Sequence, residues 1–250
     1  MNNIVLIIEY DGTRYYGWQK QPGRRTLQET IESAIEKIVG QRVSLIASGR
    51  TDRGVHARAQ VANFKINREI DLSVLKRALN ATLPFDIRIK NTYKADPLFH
   101  ARFSAKKKVY YYYFSHSSYF TPVLRNYIWY IPYNFDIYKM EKVAKIFVGT
   151  HDFSAFKNSR GKWERKDDTV RTIYSSDIIK KRRGLYIYRI SGNGFFYKMV
   201  RNIFGCIVHA GIGKITEEEV LSIFHKKKDR ANAPPPAPPQ GLFLVRVEYK

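Results

Sequence analysis

Residues 4–10, Ile4-Val5-Leu6-Ile7-Ile8-Glu9-Tyr10, read as a buried strand, and Thr26-Leu27-Gln28-Glu29-Thr30-Ile31-Glu32-Ser33-Ala34-Ile35-Glu36-Lys37-Ile38 reads as the helix that follows it. The first stretch is a short apolar run rich in β-branched side chains. The second puts Leu27, Ile31, Ala34, Ile35 and Ile38 at helical spacing, behind a capping box in which Thr26 and Glu29 would satisfy each other's backbone donors. Outward from there, residues 43–47 and 61–66 read as strands, Leu72, Leu75 and Leu79 mark a second helix, and residues 87–93 a further strand. The order is β-α-β-β-α-β.

The second half repeats that order. It offers a strand through residues 110–115, a helix carrying Ile137, Met140, Val143, Ala144 and Phe147, and strands near residues 170–178 and 185–190. A helix after Phe196 follows, then one opened by the capping box Thr216-Glu217-Glu218-Glu219, then a closing strand over residues 242–249. The expected architecture is α+β: two ferredoxin-like, RRM-like units with antiparallel sheets, residues 1–104 and 105–250. Such a unit leaves one sheet face exposed, and RNA-binding modules of similar topology stack bases there. Ala233-Pro234-Pro235-Pro236-Ala237-Pro238-Pro239 is expected to be a stiff, extended connector, because proline fixes φ and lacks the donor that a helix or central strand needs.

Composition bounds the function. With 250 residues, 44% hydrophobic and 14% aromatic, the chain can repay the entropy of ordering, so a disordered or mini-protein scaffold is excluded. The single cysteine, Cys206, excludes an intrachain cystine framework and fits a reducing, cytoplasmic setting. Residues 4–8, flanked by Glu9 and Asp11, are too short for a signal-peptide core, and no run of eighteen apolar residues occurs, so neither export nor a membrane role is expected. Against 22 acidic residues stand 44 Lys and Arg, a formal charge of +22 that would concentrate any polyanion around the chain. Nucleic acid is the leading partner; a solubility surface is the alternative. Residues 97–135 hold five bases and no acid, and residues 157–183 ten bases against four acids, a bias that suggests a continuous positive surface.

No phosphate-binding Gly-x-x-x-x-Gly-Lys-[Ser/Thr] loop is present, and the six histidines with one cysteine lack zinc or haem spacing. Ser191-Gly192-Asn193-Gly194 reads as a tight turn. The unusual segment is Ala47-Ser48-Gly49-Arg50-Thr51-Asp52-Arg53-Gly54-Val55-His56-Ala57, which sets one carboxylate among Arg50, Arg53 and Arg58. Nearby cations favour its charged form, which suits Asp52 to nucleophilic attack or electrostatic stabilisation; a structural loop salt bridge is the other reading. Lys106-Lys107-Lys108-Val109-Tyr110-Tyr111-Tyr112-Tyr113 joins cations to alternating rings, so Tyr110 and Tyr112 share one strand face and Tyr111 and Tyr113 the other. One face is a candidate platform for stacked bases, the opposite one for core packing. In Phe195-Phe196-Tyr197-Lys198-Met199-Val200-Arg201-Asn202-Ile203, helical spacing turns Phe196, Met199, Val200 and Ile203 inward. Arg201 either holds an anion at the core boundary or is solvated.

These residues resemble a known family. Gly49-Arg50-Thr51-Asp52-Arg53-Gly54-Val55-His56-Ala57 is similar to the signature of the tRNA pseudouridine synthase A family. Further blocks follow in family order: Tyr10-Asp11-Gly12-Thr13, Tyr16-Gly17-Trp18-Gln19-Lys20-Gln21, Phe99-His100-Ala101-Arg102-Phe103-Ser104-Ala105, Gly149-x-His151-Asp152-Phe153, Met199-Val200-Arg201-Asn202-Ile203 and Gly241-Leu242-Phe243-Leu244. The resemblance implies a pseudo-twofold pair of units around a central cleft, and isomerisation of uridine to pseudouridine at positions 38, 39 and 40 of the tRNA anticodon stem-loop. It assigns Asp52 as nucleophile, Tyr110 as the ring stacked on the flipped base and proton acceptor, Arg201 as partner of the aspartate, Leu242 as pocket lining and Arg50 as a phosphate contact. It implies tRNA as partner, a homodimer, and no cofactor or metal. Arg53 departs from the small residue usual after the aspartate, and Lys108 from the arginine usual before the stacked tyrosine; both keep positive charge near RNA. The rivals are a non-catalytic RNA-binding protein, although an RNP1 pattern is missing, and a basic DNA-binding protein.

Overall fold

The computed structural model describes residues 1–158, 169–225 and 233–249. In chain order the elements are β1 (Asn2–Tyr10), α1 (Leu27–Val39), β2 (Ile46–Ala47), β3 (His56–Ile66), α2 (Leu72–Thr82), β4 (Ile87–Ala95), β5 (Lys107–His116), β6 (Trp129–Ile131), α3 (Ile137–Ile146), β7 (Gly149–Asp152), β8 (Val170–Lys180), β9 (Leu185–Gly192), α4 (Met199–Gly211), α5 (Glu217–His225) and β10 (Leu242–Glu248). The chain is α+β, as its pattern predicts. It divides into two compact units, one of Met1–Lys106 with Phe243–Lys250, the other Lys107–Leu242.

In the first unit β1 lies antiparallel between β3 and β4, with Leu6 opposite Ala62 on one side and Thr92 on the other. Ile4, Leu6 and Ile8 of β1 are fully buried, as are Leu27, Ile31 and Ile35 of α1 and Leu75 and Leu79 of α2. Burial of such side chains is worth roughly 1.5–3 kcal/mol each and makes this face the core. The strand expected over residues 43–47 shrinks to Ile46–Ala47, because the Leu45 N–H donates to Glu32 Oε1 at 2.7 Å and its carbonyl accepts from Gln28 Nε2 at 3.3 Å. Those backbone groups go to α1 instead of to a ladder. Beyond that short pairing, the β3 edge is met by β10, which runs parallel to it with Phe243 opposite His56 and Leu244 opposite Ala57. The sheet is therefore mixed, where antiparallel pairing was expected; β5 and β6 form a second parallel pair, with Phe114 opposite Trp129.

The other face of this sheet is not the open platform that the sequence suggests. Val5, Val61 and Ala101 are buried there with Phe99, Val247 and Tyr249 packed on them. Asn63 fixes the covering loop: its Oδ1 accepts the Ala101 N–H at 2.9 Å, and its Nδ2 donates to Asn3 Oδ1 at 2.9 Å, while Asn3 donates to the carbonyls of Asp96 and Phe99. Buried amides with every bond made specify one loop position.

In the second unit β9 is antiparallel to β5 and β8, and β7 is antiparallel to β8, with Tyr112 opposite Tyr188. β6 and β7, too short for an alternation to register, have no counterpart in the sequence reading. Phe204 of α4 is the hub of this core, with ring centroids 4.4 Å from Tyr112, 5.0 Å from Phe114 and 5.0 Å from Tyr188.

The two capping boxes part company. At α5 the box forms, the Thr216 N–H donating to Glu219 Oε2 at 2.7 Å and the Glu219 N–H to Thr216 Oγ1 at 3.2 Å. At α1, Thr26 holds the cap position with extended backbone, yet its buried hydroxyl has no partner. The carbonyls of Gly17 and Trp18 take the Leu27 and Gln28 N–H groups instead, at 3.1 and 3.0 Å. The helix expected to include Phe196 begins at Met199, because Lys198 adopts a left-handed backbone with φ 60° and breaks the turn before it. Among the described residues no helix is long and apolar enough to cross a membrane.

Candidate active site

The segment between β2 and β3 is held by side chains of the strands beneath it. The Ser48 N–H donates to the Val61 carbonyl at 2.8 Å, and Ser48 Oγ donates to Gln60 Oε1 at 2.7 Å. Gln60 Nε2 in turn donates to the Gly49 carbonyl at 2.8 Å and contacts the Tyr10 hydroxyl at 3.4 Å. That hydroxyl shares a 2.8 Å hydrogen bond with Thr51 Oγ1. Burial pushes the Tyr10 phenol upward from its ordinary range, so it stays protonated and able to bond. The Trp18 N–H closes on the Thr51 carbonyl at 3.0 Å, and the Val55 N–H on the Asp52 carbonyl at 3.1 Å. Residues 48, 49 and 51 are thereby fixed, leaving Arg50 and Arg53 exposed and Asp52 half-buried between them. Gln60 and Tyr10 are the members of this arrangement that sequence reasoning missed as site residues; Gln60 is fully buried within β3, which the sequence pattern does not announce.

The loop between β1 and α1 presses on the same segment. Gly17 has φ +87°, and a Cβ there would stand 2.7 Å from the Thr51 carbonyl oxygen, so only glycine permits the approach. His56, fully buried, accepts the Gly12 N–H on Nδ1 at 3.1 Å and stacks on Phe243 with centroids 4.5 Å apart. The three arginines expected around Asp52 are not equivalent. Arg53 lies over the ring of Tyr16 at 4.3 Å and Arg58 over Phe243 at 5.7 Å, while Arg50 is an exposed residue of the loop.

The second unit carries the other candidates. Tyr110 stands opposite Ile190 in the β5–β9 ladder and meets Phe195 edge-on at 5.2 Å. The alternation along β5 holds, but the Tyr110 face is the core face: Tyr110 is 7% exposed, and Tyr112 and Phe114 are fully buried. Tyr110 thus sits at the end of a packed face, not on an open platform.

Arg201 is fixed by the proline-rich segment, its Nε donating to the Ala237 carbonyl at 2.8 Å while the Ala237 N–H donates to the Arg201 carbonyl at 2.9 Å. The Tyr112 hydroxyl donates to the Pro238 carbonyl. Gly205 admits the segment to α4, since a Cβ there would lie 2.2 Å from the Pro235 carbonyl oxygen. The expected connector is therefore a strap seated on α4, with Ala233 and Ala237 buried. Leu242, just beyond it, is 4% exposed, and its N–H donates to the Pro239 carbonyl at 3.2 Å.

Comparison with known proteins agrees with these blocks. The sequence profile of the family described as tRNA pseudouridine synthase matches residues 6–104 and 143–250. The chain is 46% identical over 249 residues to tRNA pseudouridine synthase A of Thermoanaerobacter sp. (strain X514), and 44% identical over 249 residues to that of Caldicellulosiruptor bescii, covering 100% of both chains in each case. Among solved structures it is similar to a chain in the crystal structure of a Cbf5-Nop10-Gar1 complex, at 13% identity and a TM-score of 0.38, a match that spans 97% of this chain and 57% of that one and bears on nothing further. On the profile and the full-length relatives together, the chain belongs to the tRNA pseudouridine synthase family and is an isomerase of that kind.

Proposed function

We propose that this chain isomerises uridine to pseudouridine at positions 38, 39 and 40 of the tRNA anticodon stem-loop, with Asp52 as nucleophile. The observation that carries the reading is the pinning of Ser48, Gly49 and Thr51 by Gln60, Tyr10 and Trp18, which presents Asp52 from a backbone with little freedom left. A nucleophile held in one place contributes through orientation, which is worth several kcal/mol of barrier. The uracil N1–C1′ bond breaks and a C5–C1′ bond forms; the C5 proton leaves and N1 gains one, so the reaction is redox-neutral and needs no cofactor. Tyr110 stacks on the base after it leaves its helix and accepts the C5 proton. Arg201 partners the aspartate, Leu242 lines the pocket, and Arg50 contacts the phosphate backbone. Unstacking costs a few kcal/mol, which a ring stack of about 1–3 kcal/mol and phosphate contacts offset.

On the fold, this reading takes residues 1–104 and 105–250 as two ferredoxin-like repeats. The order β4-β1-β3, with β2 on the outer edge of β3, supports it in the first unit. A cytoplasmic homodimer completes the proposal; sedimentation showing only monomer at micromolar concentration would remove the dimer.

The deciding experiment maps pseudouridine in unmodified tRNA transcripts after incubation with purified protein and no added metal. Modification at any of positions 38–40 supports the reading. Binding without modification turns it into the non-catalytic alternative. Tyr110→Phe keeps the stack and loses the hydroxyl; turnover at the wild-type rate removes the proton-acceptor role.

A further inference from the structure

The loop between β1 and α1 carries a feature that the isomerisation chemistry leaves unused. Tyr16 is covered on its ring by two guanidinium groups, Arg24 with Cζ 4.5 Å from the centroid and Arg53 with Cζ 4.3 Å. Arg24 also donates from Nη1 to the Tyr16 hydroxyl at 3.1 Å. Tyr16 is itself tied down: its N–H donates to the Arg25 carbonyl at 2.9 Å, and its carbonyl accepts from Gln21 Nε2 at 3.0 Å. We propose that the Arg24–Tyr16–Arg53 stack is a phosphate-binding site for the RNA backbone, set at a fixed offset from Asp52. The proposal rests on the reading of tRNA as substrate and adds residues to it.

Three observations carry it. Both guanidinium groups are exposed, and among the described residues neither pairs with a carboxylate. Other arginines of the chain do: Arg25 is 3.8 Å from Asp86, Arg42 is 3.1 Å from Glu36 and Arg189 is 2.8 Å from Asp177. Two cations gathered on one ring without an acid between them are poised for an anion. Contact with the Tyr16 ring, and for Arg24 the bond to its hydroxyl, limits where both groups can go, and the planar guanidinium fork matches phosphate geometry. Holding two guanidinium groups, Tyr16 serves here as a mount for cations.

The third observation is mechanical. Arg53 follows Asp52 directly, and the loop that carries Tyr16 locks onto the same backbone through Gly17 and through the Trp18 bond to Thr51. A Cβ on Gly17 would lie 3.1 Å from the Arg53 nitrogen, so the two loops move as one body. A phosphate held on the stack would place the neighbouring nucleotides relative to the Asp52 carboxylate. In this chain the arginine after the catalytic aspartate is thus an RNA-registering residue.

The test measures binding of an unmodified tRNA transcript over a salt series, with turnover followed on the same protein. For every phosphate no longer neutralised, the slope of log affinity against log salt should become shallower by about 0.7–0.9. Arg53→Ala and Arg24→Ala should each show that drop, with weaker binding at 0.15 M salt and a raised KM. Arg53→Lys should regain the slope but not the full affinity, because ammonium cannot stack as a plane. Arg42→Ala, on the far end of α1 beside Glu36, is the control and should change neither. Wild-type affinity and slope in both alanine variants overturn the proposal. Weaker binding with an unchanged slope overturns it as well, since that marks a base stacked on guanidinium. If no protein makes pseudouridine yet the slopes fall, the substrate-conversion reading fails and the phosphate site stands.

Discussion

The two units hold their candidate residues by different physics. In the first, Asp52 and Arg50 sit on a segment fixed by directed hydrogen bonds from Gln60, Tyr10, Ser48 and Trp18. In the second, Tyr110 ends a face of packed rings around Phe204, and Arg201 lies under a strap that Gly205 lets approach. Hydrogen bonds fix position steeply and contribute modest net stability, whereas ring packing contributes much stability and tolerates small shifts. Damage to the first region should therefore appear in rate, and damage to the second in folding.

The sharpest separation is expected at the carboxylate. Asp52→Asn should abolish pseudouridine formation while leaving tRNA binding and the thermal midpoint at wild type; retained turnover would remove the nucleophile assignment. Next comes Phe204→Ala, which empties the centre of the ring cluster and should cost about 3–5 kcal/mol in urea unfolding. Its kcat, measured on the folded fraction, should stay close to wild type. A lower kcat in stable protein would erase the contrast between the regions. Gln60→Leu removes the clamp on Gly49 and Ser48 at near-constant volume. We expect a cost of about 1–3 kcal/mol from the stranded polar groups, and a fall in kcat of up to about a hundredfold from misplacement, with tRNA affinity unchanged. Equal loss of binding and kcat would show that the segment collapses instead of shifting. The smallest effect belongs to Thr26→Val, which replaces a buried hydroxyl without a partner and should change stability by less than about 1 kcal/mol, in either direction.

What could be read in advance was local. The helices of both halves and the alternation along β5 follow from spacing within one element, and the α5 capping box needs only Thr216 and Glu219. The same pattern at Thr26 makes no side-chain cap, and the first two helix donors, Leu27 and Gln28, are met by Gly17 and Trp18 of a loop that no local window predicts. Leu45 leaves the sheet for Glu32 and Gln28, side chains on another element. The covered sheet face depends on Phe99, Ala101 and Tyr249, which no window around Val5 contains. At the candidate site, the acidic residue among arginines stands out in the sequence. The glutamine that holds its loop does not, since a single polar residue in an apolar strand has no periodicity to announce it. Arg53 looked like a mere departure from pattern until Tyr16 came beneath it.

The strap over α4 also sets a timetable. Arg201 is oriented by a main-chain carbonyl 36 residues later, and His56 of the first unit stacks on Phe243. During synthesis from the N-terminus, a ribosome still reading codon 230 holds a nascent chain in which neither support exists. Arg201 and His56 therefore emerge unsupported, and both halves gain these contacts only when residues 237–243 leave the exit tunnel.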